Sequence, residues 1–201
     1  MKSAYSSSAL TISCKSPFAR VRYPRVSRRC WAGAAHPASS RPPIARVTAI
    51  RVSFVDTLVL RGASATLQVL VLRRGPHGRN PGSWETVHGT IEAGETPVQA
   101  SLRELREETG LTPERYYNLS RIEGFYQHKS DELIIIPAFA AFVTADVQPL
   151  LSREHDAFVW LGPADAARRF AWPRERRALE DALSIVGSGG GGLLDDVLRV
   201  S

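Results

Sequence analysis

The sequence predicts an α/β domain, in which strands and helices share one hydrophobic core. Apolar runs rich in β-branched and aromatic residues, typical of strands, recur along most of the chain. Two segments among them carry the start and stop signals of helices. The 201 residues, of which 43% are apolar, are enough for one domain with a core of its own.

The first part of the domain is predicted to be β-structure. Residues 46–60 and 66–72 are rich in Val, Leu, Ile and Phe, and the RGASA segment at 61–65 is typical of a hairpin connection. A segment rich in Gly, Pro and Asn follows at 75–82, and WETVHG lies at 84–89. We therefore expect a β-hairpin followed by a loop.

The first helix is predicted at residues 97–109, and both of its ends are marked. Thr96 is a suitable N-cap, and Gln99 lies three residues later, which is the spacing of a capping box. Pro97 occupies the first helical position, where its missing N–H costs no hydrogen bond. Gly110 follows the last helical residue, where a left-handed backbone ends many helices.

The second half of the domain continues the alternation. Residues 117–126, 131–143 and 158–161 are predicted strands, and the second contains the apolar run LIIIPAFAAFV. A second helix is predicted from Pro173, because apolar residues recur at helical spacing after it.

Segments of different composition flank the predicted domain, residues 46–185. Residues 1–45 are rich in Ser, Arg and Pro and lack an apolar period, so we expect them to be disordered. Their composition is that of a transit peptide to a mitochondrion or chloroplast, or of a dispensable extension of a cytoplasmic protein. The glycine run at 187–192 predicts that residues 186–201 form a flexible C-terminal tail.

The positive charge of the chain is confined to its beginning. The formal net charge is +6, but residues 1–55 carry ten basic side chains and no acidic one, so the rest carries −4. A basic nucleic-acid-binding face on the domain is therefore not expected. Cys14 and Cys30 both precede the domain, which excludes a disulfide framework or a cysteine zinc site within it. No apolar run is long enough for a transmembrane helix.

Three glutamates converge on one face of the first predicted helix. At about 100° per residue, Glu104, Glu107 and Glu108 occupy a strip opposite the apolar side that contains Leu105. One interpretation is a solvated acidic face. The other is a metal site, because Mg²⁺ and Mn²⁺ prefer carboxylate oxygens. The glycine-containing loop at 89–95, which offers backbone groups next to the helix, favours the metal site.

The segment GTIEAGETPVQASLRELREETGL, residues 89–111, resembles the Nudix box. The box is Gly, five residues, Glu, seven residues, Arg-Glu, an aliphatic residue, any residue, Glu-Glu, any residue, Gly and an aliphatic residue. The residues that fill its fixed positions are Gly89, Glu95, Arg103, Glu104, Leu105, Glu107, Glu108, Gly110 and Leu111. The match favours the metal site over a solvated acidic face.

The resemblance to the Nudix family implies a fold and a reaction. The fold is an α/β/α sandwich with a curved mixed sheet. The reaction is the hydrolysis of a nucleoside diphosphate linked to another moiety, with a divalent metal. Glu104, Glu107 and Glu108 would be metal ligands of the catalytic site, and Glu104 is a candidate general base.

The resemblance also implies supporting roles for the remaining box residues. Arg103 would hold a box glutamate in place, Glu95 would brace the loop, and Gly110 would end the helix. The backbone carbonyl near Gly89 would join the metal ligands.

Segments outside the box resemble the branch of the family that hydrolyses dihydroneopterin triphosphate and dATP. The segments are LVLRRG at 70–75, SWETVHG at 83–89, PAFAA at 137–141 and SREHDAFVWL at 152–161. In that branch the Glu of the Glu-His pair is a further metal ligand, which maps onto Glu154, and His155 is expected to support the site. Arg74 maps onto a residue that contacts phosphate, and His88 maps onto a position close to the substrate. The alternative for each is an ordinary residue at the end of a loop.

We therefore expect a Mg²⁺- or Mn²⁺-dependent pyrophosphohydrolase that releases pyrophosphate from a (deoxy)nucleoside triphosphate or dihydroneopterin triphosphate. The alternative within the family is a dinucleoside polyphosphate or nucleotide-sugar hydrolase. The alternative from another class is a nucleotide-sensing or RNA-binding module without turnover, which would be free to lose a box carboxylate. The expected partner is a small nucleotide or pterin substrate, with neither nucleic acid nor membrane, and the oligomeric state stays open.

Overall fold

The computed structural model describes residues 48–187 and 190–201, so the predicted basic segment 1–45 lies outside the described residues. Within them the chain forms eight strands and four α-helices. In chain order they are β1 (Ala49–Val52), β2 (Phe54–Arg61), β3 (Gln68–Arg74), β4 (Trp84–Glu85), β5 (Val87–Thr90), α1 (Pro97–Thr109), β6 (Arg115–Gln127), β7 (Glu132–Phe142), β8 (His155–Leu161), α2 (Pro163–Arg169), α3 (Pro173–Val186) and α4 (Asp195–Leu198).

The strands of the described residues form one mixed sheet. β7 is antiparallel to β6 on one side and parallel to β1 and β2 on the other. β2 pairs antiparallel with β3 and β5, and β3 pairs antiparallel with β4 and β8. The predicted mixed sheet and the hairpin between β2 and β3 are thereby confirmed.

An apolar core lies on each face of this sheet, because successive strand residues point to opposite faces. Leu60 of β2 belongs to the core that contains Leu179 of α3 and Ala166 of α2. Its neighbour Val59 belongs to the core that contains Leu105 of α1. Helix α1 thus covers one face and α2 and α3 cover the other, which confirms the predicted α/β/α sandwich.

The predicted helix at residues 97–109 is confirmed with both of its ends. Thr96 Oγ1 accepts a hydrogen bond from the backbone N of Gln99 at 3.3 Å, and Gln99 Oε1 accepts one from the backbone N of Thr96 at 2.9 Å. Gly110 adopts a φ of 67°, a left-handed conformation that glycine reaches without strain. The helix that presents the box glutamates is therefore specified locally.

The single strand predicted for residues 46–60 is two strands, interrupted at Ser53. Both strands pair in parallel with β7. The last pair of β1 is Val52 with Ile135 and the first pair of β2 is Asp56 with Ala138, so this segment has one residue more than β7 between the two pairs. Pro137 of β7 lies beside this break, and proline has no N–H for the ladder. A local bulge therefore accounts for the interruption.

The segment after β7 also differs from the prediction. β8 begins at His155 rather than at residue 158, and α2 is absent from the sequence-based prediction. Pro163 at the first helical position and the alanines after it are the signals that indicate this short helix. None of the described helices is long and apolar enough to cross a membrane.

Residues 190–201 differ from the flexible tail predicted from residue 186. Leu198 of α4 is buried. The backbone N of Val200 donates to the carbonyl of Tyr116 at 2.7 Å, and the backbone N of Tyr116 donates to Ser201 at 2.8 Å. The end of the chain therefore packs along the start of β6, because apolar burial and strand-like hydrogen bonds favour it there. Residues 188 and 189 of the predicted glycine linker lie outside the described residues.

Candidate active site

A cleft of about 1000 Å³ brings the box together with segments far from it in sequence. The predicted site residues that line this cleft are Arg74, His88, Gly89, Glu104, Glu108 and Glu154. The predicted site residues outside its lining are Glu95, Arg103, Glu107 and Gly110.

The three box glutamates lie in different environments, so the prediction of one shared outward strip is wrong. Glu108 is only 3% exposed. The side chain of Glu107 is 58% exposed, and that of Glu104 is 14% exposed. The segment before β8 covers the end of α1, where the backbone N of Ser152 donates to the carbonyl of Glu108 at 3.1 Å. A helical wheel describes one helix and takes no account of a segment that packs over it.

Arg103 connects the box loop to the helix. Its guanidinium donates to both carboxylate oxygens of Glu95, at 2.8 and 3.0 Å, and to the carbonyl of Thr90 at 2.8 Å. It also donates to Glu104 at 2.9 Å and to Glu107 at 3.0 Å. The hydrogen bonds from Arg103 are the largest cause that lowers the pKa of Glu95 to about 2. Glu95 is therefore ionised near neutral pH, and its hydrogen bonds with Arg103 join the loop to the helix.

Gly89 of β5 leaves room for the carboxylate of Glu104. A Cβ at residue 89 would lie 1.9 Å from Cγ of Glu104, which no side chain tolerates. The backbone N of Thr90, the next residue, donates to Oε1 of Glu104 at 3.0 Å. The close approach of strand and helix thus fixes the direction in which Glu104 enters the cleft.

Glu108 has a buried oxygen, Oε2, without a hydrogen-bond partner among the described residues. Burial raises its pKa well above the ordinary value, and the negative charges of Glu104, Glu154 and Glu85 raise it further, against the opposing charge of Arg74. A buried carboxylate oxygen without a partner is costly unless a cation reaches it. Glu108 is therefore suited to bind one.

Arg74, the last residue of β3, reaches the same end of the cleft. Its Nε donates to the buried carboxylate of Glu85, and its Nη1 donates to Oε2 of Glu154 at 2.8 Å. A register shift between Arg73 and Arg74 interrupts the pairing of β3 with β8 at this point. The phosphate contact predicted from the sequence is thus already bound to two carboxylates.

His155 lies in the interior of the protein beside these groups. Its Nε2 is 3.5 Å from Oε1 of Glu85, and its Nδ1 is 4.0 Å from Oε2 of Glu108. Neither ring nitrogen makes a hydrogen bond within the described residues. His155 therefore packs behind the carboxylates rather than facing the cleft.

Another part of the cleft wall contains aromatic rings, and a buried ion pair lies beside them. His88 Nδ1 lies 2.6 Å from Oδ1 of Asp56, whose Oδ2 accepts from Arg174 Nε at 2.8 Å. Burial alone would raise the pKa of Asp56, but the contacts with His88 and Arg174 lower it. The ring of His88 stacks on Phe54 with centroids 5.2 Å apart, and Phe54 stacks on Phe125 at 6.5 Å. This wall offers flat apolar surface next to polar groups.

The sequence patterns did not single out Glu85 and Arg174, which line the cleft, or Asp56, which pairs with the cleft residues His88 and Arg174. Asp56 is the only charged side chain within the apolar run FVDTLVL, and a single carboxylate at such a position is a recognisable signal. Glu85 and Arg174 carry no comparable signal, because each is a charged residue in an already polar stretch.

The residues of the cleft fit a hard divalent cation. Glu104, Glu108 and Glu154 supply carboxylate oxygens, and the unpartnered Oε2 of Glu108 is the atom that most needs a cation. Within the described residues, no three Asp, Glu, His or Cys side chains are already gathered as a metal site. Glu104 and Glu154 are instead hydrogen-bonded to Arg103 and Arg74, each through one carboxylate oxygen.

A protein-family model matches most of the described chain. It is the NUDIX domain, and the match spans residues 53–182. The chain belongs to the Nudix family. The predicted resemblance is thereby confirmed, and the domain is a Nudix hydrolase domain, of the class that acts on phosphoanhydride bonds and generally uses divalent metals.

Two relatives and one solved structure are similar to this Nudix domain. The chain is 33% identical over 135 residues to a Myxococcus xanthus protein named octanoyltransferase, a match that covers 64% of this chain and 36% of that protein. It thus spans about a third of that relative's length. It is 28% identical over 131 residues to the asymmetrical bis(5'-nucleosyl)-tetraphosphatase of Mus musculus, a match that covers 62% of this chain and 84% of that protein. The structure of the E. coli dihydroneopterin triphosphate pyrophosphohydrolase is 27% identical in sequence to this chain, with a TM-score of 0.50. The match covers 63% of this chain and 92% of that one.

Proposed function

We propose that this Nudix hydrolase is a Mg²⁺-dependent pyrophosphohydrolase of a (deoxy)nucleoside triphosphate or of dihydroneopterin triphosphate, from which it releases pyrophosphate. The observation that carries the proposal is the division of one cleft into a carboxylate end, with Glu104, Glu108 and Glu154, and a wall of stacked rings. A triphosphate attached to a planar heterocycle matches both parts.

The carboxylate end is where the triphosphate would be cleaved. Glu104, Glu108 and Glu154, with the backbone carbonyl near Gly89, would hold Mg²⁺, and Mn²⁺ would be bound by the same oxygens. The cation, when bound, supplies charge neutralisation at the phosphate oxygens and makes water more acidic. Glu107 is exposed and bound to Arg103, so its contribution would be the smallest of the box glutamates.

Glu104 is the residue we propose as general base. The hydrogen bonds from Thr90 and Arg103 both go to its Oε1, which holds the carboxylate in one orientation and directs Oε2 away from them. Oε2 is the atom that would accept a proton from the attacking water. Arg74, anchored beside the carboxylates, would contact a phosphate oxygen of the substrate.

The ring wall is where the heterocycle would bind. Phe54, Phe125 and Trp172 all line the cleft, and stacking on aromatic side chains is favourable for any flat base. His88 is held by Asp56, so its ring keeps a fixed orientation towards the substrate. A nucleobase and a pterin both satisfy this description, which is why the proposal includes both.

A second candidate is the hydrolysis of a dinucleoside polyphosphate, favoured by the name of the Mus musculus relative. A nucleotide sugar belongs to the same alternative. A non-catalytic nucleotide-sensing module is disfavoured, because the chain retains every box carboxylate.

A substrate panel tests the proposal directly. Purified protein with Mg²⁺ is given dihydroneopterin triphosphate, dATP, diadenosine tetraphosphate and a nucleotide sugar, and pyrophosphate and monophosphate products are quantified. We expect the highest kcat/KM for one of the first two, with pyrophosphate as product. A preference for diadenosine tetraphosphate would establish the alternative, and no turnover on any substrate would contradict the catalytic proposal.

A further inference from the structure

We propose that Arg74 competes with the divalent cation for Glu154 and that, once it gives up this carboxylate, the same nitrogen of Arg74 binds a phosphate oxygen of the substrate. The inference rests on the proposed function and deepens it, because it couples the binding of the cation to the binding of the substrate.

The two hydrogen-bonding ends of Arg74 have unequal surroundings. Its Nε donates to Glu85, whose side chain is only 4% exposed. Its Nη1 donates to Glu154, whose side chain is 61% exposed. A buried ion pair is costly to break, whereas an exposed pair is weak and easily exchanged. Glu85 therefore anchors the guanidinium, and the bond to Glu154 is the one that can be replaced.

Exchange requires little movement of Arg74. The guanidinium is planar and its donors are fixed relative to one another, so Nη1 keeps its direction as long as Nε stays on Glu85. Only the acceptor opposite Nη1 has to change, from a carboxylate oxygen of Glu154 to a phosphate oxygen. Arginine is well suited to both acceptors.

Electrostatics explain why the substrate should complete this exchange. Burial alone would lower the pKa of Arg74, but the charges of Glu85, Glu108 and Glu154 raise it. The guanidinium thus interacts with the same carboxylates, Glu108 and Glu154, that would bind the cation. A cation bound to Glu108 and Glu154 would leave Arg74 facing another positive charge, and the polyanionic substrate removes that repulsion.

The neighbouring Arg73 provides a matched control on the same strand. Its Nε donates to Oδ1 of Asp156 at 2.6 Å, in an exposed ion pair outside the cleft. Arg73 and Arg74 therefore share residue type and strand, and each pairs with an acidic residue of the segment around β8. They differ in that only Arg74 reaches the carboxylates of the cleft.

The test is direct binding of Mn²⁺ without substrate, measured by electron paramagnetic resonance on the full chain. We expect Arg74→Met to bind Mn²⁺ about three- to fivefold more tightly than the wild type, the change expected for release from an exposed ion pair. In the Glu154→Gln background the same substitution should change the affinity less than about twofold. Arg73→Met should bind Mn²⁺ like the wild type, and only Arg74→Met should raise the KM of the substrate.

A second pair of variants covers the loss of charge next to Glu85. Arg74→Met leaves that carboxylate buried without its partner, so folding is checked by circular dichroism and thermal melting. The Mn²⁺ affinity of Glu85→Gln is therefore also compared with that of the double variant Arg74→Met/Glu85→Gln. In the double variant no buried charge is left without a partner. A gain of similar size is expected there.

Two results would overturn the inference: unchanged or weaker Mn²⁺ binding by Arg74→Met, or an equal gain in the Glu154→Gln background. The second result would mean that Arg74 repels the cation at a distance without competing for Glu154. If the wild type binds no Mn²⁺, or Glu108→Gln leaves its binding unchanged, the proposed metal site fails and this inference with it. If the metal site holds and Arg74→Met gains nothing, only this inference fails.

Discussion

Gly89 and Glu104 approach each other so closely that a single added carbon at residue 89 would overlap the carboxylate side chain. The contact joins a strand to a helix, and a glycine at residue 89 leaves the space that the Glu104 side chain occupies. An added Cβ at residue 89 would therefore displace the Glu104 side chain, the strand or both.

Gly89→Ala should lower kcat/KM about 100-fold, since a displacement of about 1 Å at a reacting group has an effect of this size. The measurement is steady-state hydrolysis with Mg²⁺, accompanied by thermal melting to verify folding. Gly162→Ala is the control, because a Cβ at residue 162 would meet nothing within 4 Å. Full activity of Gly89→Ala would show that Glu104 need not hold this position.

Glu108→Gln should lower the rate of metal-dependent hydrolysis by orders of magnitude while the protein stays folded. Burial and neighbouring carboxylates make the charged form of Glu108 costly, so a neutral amide of the same shape should not lower the melting temperature without metal. Mg²⁺ should raise the melting temperature of the wild type but not of the variant. Glu107→Gln, which alters an exposed glutamate, should have a much smaller effect on both. Equal losses in the two variants would contradict the different roles we assign.

Glu175 should make the stability of the fold depend on pH. The side chain is fully buried at the start of α3, where it accepts hydrogen bonds from the backbone N of Thr86 at 3.2 Å and of Trp172 at 3.3 Å. Burial is the largest cause that raises its pKa from 4.5 to about 8, followed by the charge of Asp56. Between these values the folded protein keeps a proton that the unfolded chain has lost, so stability falls as the pH rises through this window.

Urea unfolding of the wild type and Glu175→Gln from pH 5 to pH 8.5 measures this contribution. The free energy of unfolding of the wild type should fall by roughly 2–5 kcal/mol relative to the variant across the range. Glu180→Gln, an exposed position on the same helix, serves as the control and should retain the wild-type profile. Parallel profiles for the wild type and Glu175→Gln would show that the carboxyl group does not titrate in this window.

Phe125→Ala should weaken substrate binding without altering the chemical step. Loss of one stacked ring is expected to raise the KM of dATP or dihydroneopterin triphosphate roughly tenfold, with kcat nearly unchanged. Ile122→Ala, an exposed position on the same strand outside the cleft lining, is the matched control. A fall in kcat with unchanged KM would place Phe125 outside the binding of the heterocycle.

Helix α1 could be predicted because its determinants are local. Thr96, Pro97 and Gly110 mark the ends of α1 through bonds and backbone angles that involve only near neighbours in sequence. The box is equally local, since its fixed residues lie within 23 positions. The long strand before the hairpin was predicted less well, because its interruption at Ser53 depends on pairing with a distant strand.

The Nudix family and the α/β class follow from sequence patterns alone, and so does our proposal of which glutamates hold a cation. Packing makes these glutamates different from one another: Glu108 is buried, Glu107 is exposed, and Glu154 is bound to an arginine 80 residues away. It likewise joins Asp56 to Arg174 across 118 residues. These differences could not be predicted because burial and ion pairing depend on which segments pack over a residue, and spacing along the chain does not contain that information.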